Sequence, residues 1–306
     1  MAPGINASGL MGIAHETTPG TYVAPAKYVP FLSEQIKFQQ DTQWRRPIRQ
    51  SPDVIGAVAG DSFIGGALKM EALHDCVPYF LYCSRVTVVK SGVGPYVYTC
   101  TPSAVAIPAR TMSITIVRNG IVFGYTGCVV ASFKFSIDNG QLMYEPEIVG
   151  RDEAVQSTPT AAWPTSVPFG AGSYNLQIPT ATQVFDTDKF EFNVDDKGTP
   201  NFRLKNTGTG AQFIAYGERD VKISVERDFD TRTEYDIFKS ETAQSLSLIV
   251  GSAPGFTLTA PTTIVDTYEV DLNNQGDLVR AKVDYVGTLG ASSAYTLIAS
   301  TPESIT

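Results

Sequence analysis

Glu226, Asp228 and Asp230 stand at alternate positions in VERDFDTRTEYD, a run in which paired carboxylates could serve a hydrolase as general acid and general base. The run also passes from a strand pattern into a helix pattern, where acidic residues favour the positive helix N-terminus, and that capping role is the expected one. Two imidazoles are present, His15 and His74, and neither lies beside a Ser or Cys in a nucleophile motif such as GxSxG. Solvated or capping roles are expected for both. Cys76, Cys83, Cys100 and Cys128 form no CxxC pair and have no His-rich partner at metal-ligand spacing. They are expected to be buried thiols that pack as small hydrophobes. The sequence thus points to no catalytic residue, metal or cofactor.

Composition narrows the classes further. At 306 residues, 43% apolar and 18% charged, the chain has the length for one large domain or two of ordinary size and the make-up of a folded protein. Its apolar runs fall short of the about 18 residues of a membrane-spanning helix. The opening MAPGINASGLMGIAHE lacks the basic flank and long apolar core of a secretory signal, so folding in a cytoplasm is expected. The net charge is −8, and no basic cluster exceeds Arg45-Arg46. A grip on nucleic-acid phosphates needs a positive stripe. A like-charged wall past which DNA slides remains compatible with the charge.

The elements behind these residues are mostly strands. Strict alternation of apolar and polar residues recurs in Ile114/Ile116, Phe133/Phe135/Ile137, Phe190/Phe192/Val194, Val221/Ile223/Val225, Tyr268/Val270/Leu272 and Ala281/Val283/Tyr285, the period of half-buried antiparallel strands. Helix patterns are few; Leu73 to Cys83, with Pro78 in an early turn or at a kink, and Thr233 to Ala243 are the best two. Trp44 and Trp163 fall in loop-like segments, so a carbohydrate-binding or adhesive β-sandwich module stays open as the alternative function.

One pattern occurs twice. FKFSIDNGQLMYEPEIVG, Phe133 to Gly150, and TYEVDLNNQGDLVRAKVDYVG, Thr267 to Gly287, both alternate, turn on Asn and Gly, alternate again and stop at Val-Gly. Ahead of them IKFQQD (Ile36 to Asp41) aligns with FEFNVD (Phe190 to Asp195), Arg49 with Arg203, Gly56 with Gly210 and Phe80 with Phe238. The first copy carries an extra hairpin around Lys90 to Thr111. Each half then reads strand, long loop, strand, helix, several strands. The division that follows is an N-terminal arm over residues 1–30, a first unit over 31–154, a Pro- and Thr-rich linker over 155–185, a second unit over 186–290 and a C-terminal segment over 291–306. One continuous β-sandwich with coincidentally similar hairpins is the other reading of the same strands. The arm and the C-terminal segment have too little periodic apolar content for a core and are expected to order against neighbouring subunits.

Gly12, Glu16, Thr18, Gly20, Thr21, Pro25 and Pro30 form the pattern Gly-x-x-x-Glu-x-Thr-x-Gly-Thr-x-x-x-Pro with an apolar-Pro entry to the first strand. With Arg219 to Lys239 and the terminal DLVRAKVDYVG, this resembles the tail tube proteins of long-tailed bacteriophages over most of the chain. Together the repeat and the resemblance imply a mainly β (α+β) fold: two tandem units from the repeat, each, as the resemblance implies, an antiparallel β-sandwich or barrel with one packed helix. It implies a virion-tail structural protein, assembled in the bacterial host cytoplasm, whose rings stack into a hollow tube. DNA would pass without specific binding, and other tail proteins would meet the tube at its ends.

Single-copy members of that family form six-membered rings, so three chains with two copies each would replace six; six whole chains per ring is the other possibility. The loops Asp41 to Asp61 and Asp196 to Glu218 occupy equivalent places in the two copies. Long ordered loops tend to carry contacts. These are expected to reach the neighbouring ring, with Arg45, Arg46, Arg49 and Arg203 meeting carboxylates there. The alternative is that these arginines are merely solvated on mobile loops.

Overall fold

A computed structural model describes residues 9–48, 53–108, 110–138, 140–157, 159–179, 181–184, 187–202, 210–229, 232–252, 254–271, 279–289, 293–302 and 304–305. The first half contains β1 (Leu10–His15), β2 (Lys27–Tyr28), β3 (Ser33–Glu34), β4 (Lys37–Arg45) and β5 (Gly56–Glu71), then α1 (Val77–Tyr82). It continues with β6 (Val86–Ser91), β7 (Tyr96–Pro102), β8 (Met112–Arg118), β9 (Ile121–Asp138), β10 (Gln141–Gly150) and β11 (Asp152–Val155). Two short strands follow, β12 (Tyr174–Gln177) and β13 (Gln183–Val184). The second half has β14 (Thr187–Asp195), β15 (Thr199–Asn201), β16 (Phe213–Ala215), β17 (Asp220–Asp228) and α2 (Thr233–Ser240). It ends with β18 (Gln244–Gly251), β19 (Gly255–Asp271), β20 (Arg280–Gly287) and β21 (Thr296–Thr301). The fold is mainly β and antiparallel, as expected from the alternation, with one α-helix in each half among the described residues. Pro78 sits in the first turn of α1, where its missing N–H would have had no helical partner.

The two halves repeat one strand order. Antiparallel pairings run β4–β5–β10–β9–β8 in the first and β14–β17–β20–β19–β18 in the second. Each helix occupies the same place, α1 after β5 and α2 after β17. Both long strands change sheets midway: β9 pairs with β8 up to Cys128 and with β10 from Val129, and β19 pairs with β18 up to Thr263 and with β20 from there on. Even the irregularity matches. Ala131 is the unpaired residue between Val130 and Ser132, and Asp266 the unpaired one between Val265 and Thr267. Bulges of this kind re-aim a strand.

Strand register corrects one detail of the sequence alignment. Counting rows outward from the matched bulges puts Lys37 level with Asn193, so Ile36 corresponds to Phe192, two residues beyond the Phe190 that sequence matching chose. A slip of two keeps every side chain on its own face, so alternation cannot detect it.

The halves join through β9 and β14, with Phe135 opposite Phe192 and Lys134 opposite Asn193. A continuous sheet results, in the order β4–β5–β10–β9–β14–β17–β20–β19. One hydrophobic core serves both halves. At its centre Tyr295 packs edge-on to Phe133 at 6.2 Å and to Phe192 at 5.7 Å, and Phe135 lies 4.8 Å from Tyr144.

The terminal segments differ from expectation. β1 pairs along β8, and β21 lies between β19 and β7, so both belong to this chain's own sheets. Their short alternating stretches sufficed because neighbouring strands supplied the hydrogen bonds. Glu16 explains the N-terminal motif: its carboxylate accepts the Gly20 and Gly127 N–H groups at 2.6 and 2.8 Å and the Thr111 and Ser113 hydroxyls at 2.6 and 2.8 Å. Gly20, at φ +85°, takes a left-handed turn that glycine adopts at little cost. Two residues of the expected linker also contact the core, Phe169 on Phe256 at 5.9 Å and Ser166 through a hydroxyl bond to Asp75.

Candidate assembly surface

The groups that could have done chemistry are occupied structurally. Glu226 lies on β17, 2.6 Å from Lys189 Nζ and 3.5 Å from Arg280, and the Lys189 hydrogen bond chiefly holds its carboxyl below the ordinary range. It and Asp228 therefore sit in a strand rather than capping a helix. The first turn of α2 carries Glu234 and Asp236 instead, and Asp230 lies outside the described residues. Neither histidine is solvated. His15 Nε2 lies 3.0 Å from the Tyr79 carbonyl, with its ring between Tyr79 and Tyr82, and His74 is buried near Phe169. All four cysteines are buried and unbridged, and burial pushes the Cys100 thiol up to about 12. No helix among the described residues is long and apolar enough to cross a membrane.

What stands out is unpaired strand edge and exposed apolar surface. β4 pairs along β5 alone among the described residues, and the C-terminal half of β19 along β20 alone. Beyond a bulge at Asp41, β4 and the start of β5 project as an arm whose residues are mostly exposed. Trp44 is 63% exposed there, and Val58 and Ile48 also face solvent. A lone two-stranded ribbon is marginal in water, and clustered exposed apolar side chains mark contact surface.

Arg45 and Arg46 stand on this arm, both exposed; Arg49 and Arg203 lie outside the described residues. The equivalent loop of the second half behaves differently. Its β15–β16 hairpin folds sideways onto the first half, where Ala211, Ile214 and Tyr216 cover Val129, Ala131 and Val149. The Asp196 N–H donates to the Ala131 carbonyl at 3.1 Å, and the Ala211 N–H to the Ser62 carbonyl at 2.9 Å. Arg45 and Arg46 are thus not brought together with the described part of the second loop. Sequence reasoning picked out the arginines and Trp44, although it placed Trp44 in a loop whereas it lies on β4, and it missed Val58 and the two strand edges. No local signal marks the edges, because which strand lacks a second partner is decided by long-range pairing such as β9 with β14.

The polar face of the sheet forms a shallow concavity over β14, β17, β20 and β19, lined by Lys189, Glu191, Lys222, Glu226, Lys282 and Asp284. Cations and carboxylates interleave there and farther along: Lys69 and Lys134 both reach Glu145, at 3.2 and 3.3 Å, and Lys282 lies 3.5 Å from Asp284. Such a face is heavily charged without being basic.

These features describe a mainly β protein of two like halves with open sheet edges among the described residues and an exposed apolar arm. The chain belongs to the phage tail tube protein family, whose family model matches residues 6–285. That family is a structural one of virion tails, as the Gly12 to Pro30 motif implied. No curated protein matches the chain.

Proposed function

We propose that this chain is a non-enzymatic subunit of the tail tube, that three copies close a ring with pseudo-sixfold symmetry, and that rings stack into a hollow conduit for the DNA genome. The observation that carries this reading is the repeated strand order, joined through β9 and β14 into one sheet that ends in two edges unpaired among the described residues. Open edges are hazards in a monomer, and cyclic closure removes them. Two units per chain halve the number of chains that a six-unit ring needs.

The interleaved polar face would line the lumen, with carboxylates outnumbering lysines and arginines. DNA would then meet no basic stripe to hold it. The arm bearing Arg45 and Arg46, with Arg49 beyond it and Arg203 in the second copy's loop, would make contacts between rings. Partners are other copies of this chain and tail proteins at the tube ends. Assembly takes place in the host cytoplasm, with no membrane or cofactor involved.

Electron microscopy of the purified protein tests the reading. Ring averages with three copies of the β6–β7 hairpin, which has no counterpart between α2 and β18, are expected. Six copies per ring would sink the trimer, and a protein that stays monomeric at high concentration would sink ring assembly.

A further inference from the structure

The two strands of the internal joint between β9 and β14 have counterparts elsewhere in the sheet. Row equivalence places β4 where β14 stands and β19 where β9 stands, so the two strands at this joint have their counterparts at the two open edges. At the joint, Phe133 faces Val194, Lys134 faces Asn193 and Phe135 faces Phe192. The corresponding edge residues are Tyr268 and Phe38, Glu269 and Lys37, and Val270 and Ile36.

Burial at the joint and exposure at the edges agree with this equivalence. Phe135 and Val194 are 0% exposed, whereas their counterparts Val270 and Phe38, on the same core-facing side of the open edges, are 36% and 38% exposed; Ile36, the counterpart of Phe192, is already buried within its own chain. A second copy of the chain would cover them as the two halves cover each other. The polar row adds specificity that the internal joint lacks. Lys37 and Glu269 are both exposed and lie on the solvent face of the sheet, one at each edge.

We infer that β4 of one copy pairs antiparallel with the C-terminal half of β19 of the next, in the register that sets Lys37 opposite Glu269. This rests on the ring reading above and deepens it by fixing which residues meet. Directly opposed charges of unlike sign support a strand pair, and like charges oppose it. The pair therefore selects this register over the two-residue slip that would set Lys37 opposite Thr267, which the apolar rows alone would tolerate.

Charge reversal and exchange test the register. Lys37→Glu and Glu269→Lys are each expected to raise the concentration needed for ring formation about tenfold or more, and the double exchange to return it to near wild type. Lys37→Cys combined with Glu269→Cys is expected to give chain-to-chain disulfides under mild oxidation, against a background of four buried thiols. If the wild-type protein forms no rings, the ring reading itself fails. If it forms rings, unimpeded single reversals together with absent cross-links overturn the register and leave the ring reading standing. Cross-linking decides should either reversal also lower the thermal melt.

Discussion

Glu16 and Gly127 lie far apart in sequence, yet the Gly127 N–H donates to Glu16 Oε1 at 2.8 Å, tying the N-terminal strand to the point where β9 changes sheets. Glu16→Ala strands this donor together with the Gly20 N–H and two hydroxyls. A loss of about 3 kcal/mol is expected, since unsatisfied groups with limited access to water cost about 1–3 kcal/mol each and partial hydration recovers some of the sum. Urea unfolding of the purified variant measures it. An unchanged midpoint would mean that the motif does not hold the arm.

Asp196 ties the halves together by charge. It is 1% exposed and lies 2.6 Å from Arg219 Nε and 3.7 Å from Arg85 Nη1, while Arg219 also donates to the Arg85 and Ser103 carbonyls at 2.9 and 3.0 Å. Asp196→Asn keeps the shape and leaves two guanidiniums without their counter-charge. About 3–5 kcal/mol of stability should go, read as a lowered thermal midpoint. A cost below about 1 kcal/mol would show that water already screens the cluster.

Burial holds the His15 imidazole below its ordinary value of 6.5, with Arg110 adding to the effect and the backbone hydrogen bonds at Tyr79 and Ile305 opposing it. The unfolded chain therefore takes up this proton at a higher pH than the folded one. Stability from this group is complete above about 6.5 and declines as pH falls toward the lowered value, by at most ~1.4 kcal/mol per pH unit. His15→Gln should flatten the difference between urea midpoints at pH 7.5 and pH 5.5. An equal slope in the variant would assign the acid sensitivity elsewhere.

Arg45→Glu combined with Arg46→Glu changes two exposed residues on the arm and should alter folding stability by no more than about 0.5 kcal/mol. Rings are expected to form and to stack poorly, since reversed charge across an interface costs more than truncation. Tubes of normal length in electron micrographs would remove the stacking role from this arm.

Much of the fold could be read from residue order because the signals were local. The Asn-Gly turn after Asp138 and the alternation through Phe133, Phe135 and Ile137 marked a hairpin, and the second hairpin marked a repeat. Non-local features stayed hidden. Nothing near Phe192 announces that it faces Phe135, and Asp196 gives no sign of waiting for Arg85. β21 looked like a loose tail because a short strand gains its stability from the neighbours it inserts between, here β19 and β7. Of the candidate assembly surface, Arg45 and Arg46 were visible in the sequence as charge, while the open edges could be recognised only once every other strand had found its partners.

The covalent connection between β9 and β14 separates two kinds of joint by their response to dilution. Two strands held on one chain meet at an effective concentration in about the millimolar range, whatever the amount of protein in solution. In the proposed ring, pairing at the outer edges would be second order and would weaken as the protein is diluted. Lowering the concentration would therefore detach whole chains from one another long before it parted Phe135 from Phe192. Mutational drift at the inner joint is correspondingly buffered, whereas each change at an outer edge is felt at the concentration the cell supplies.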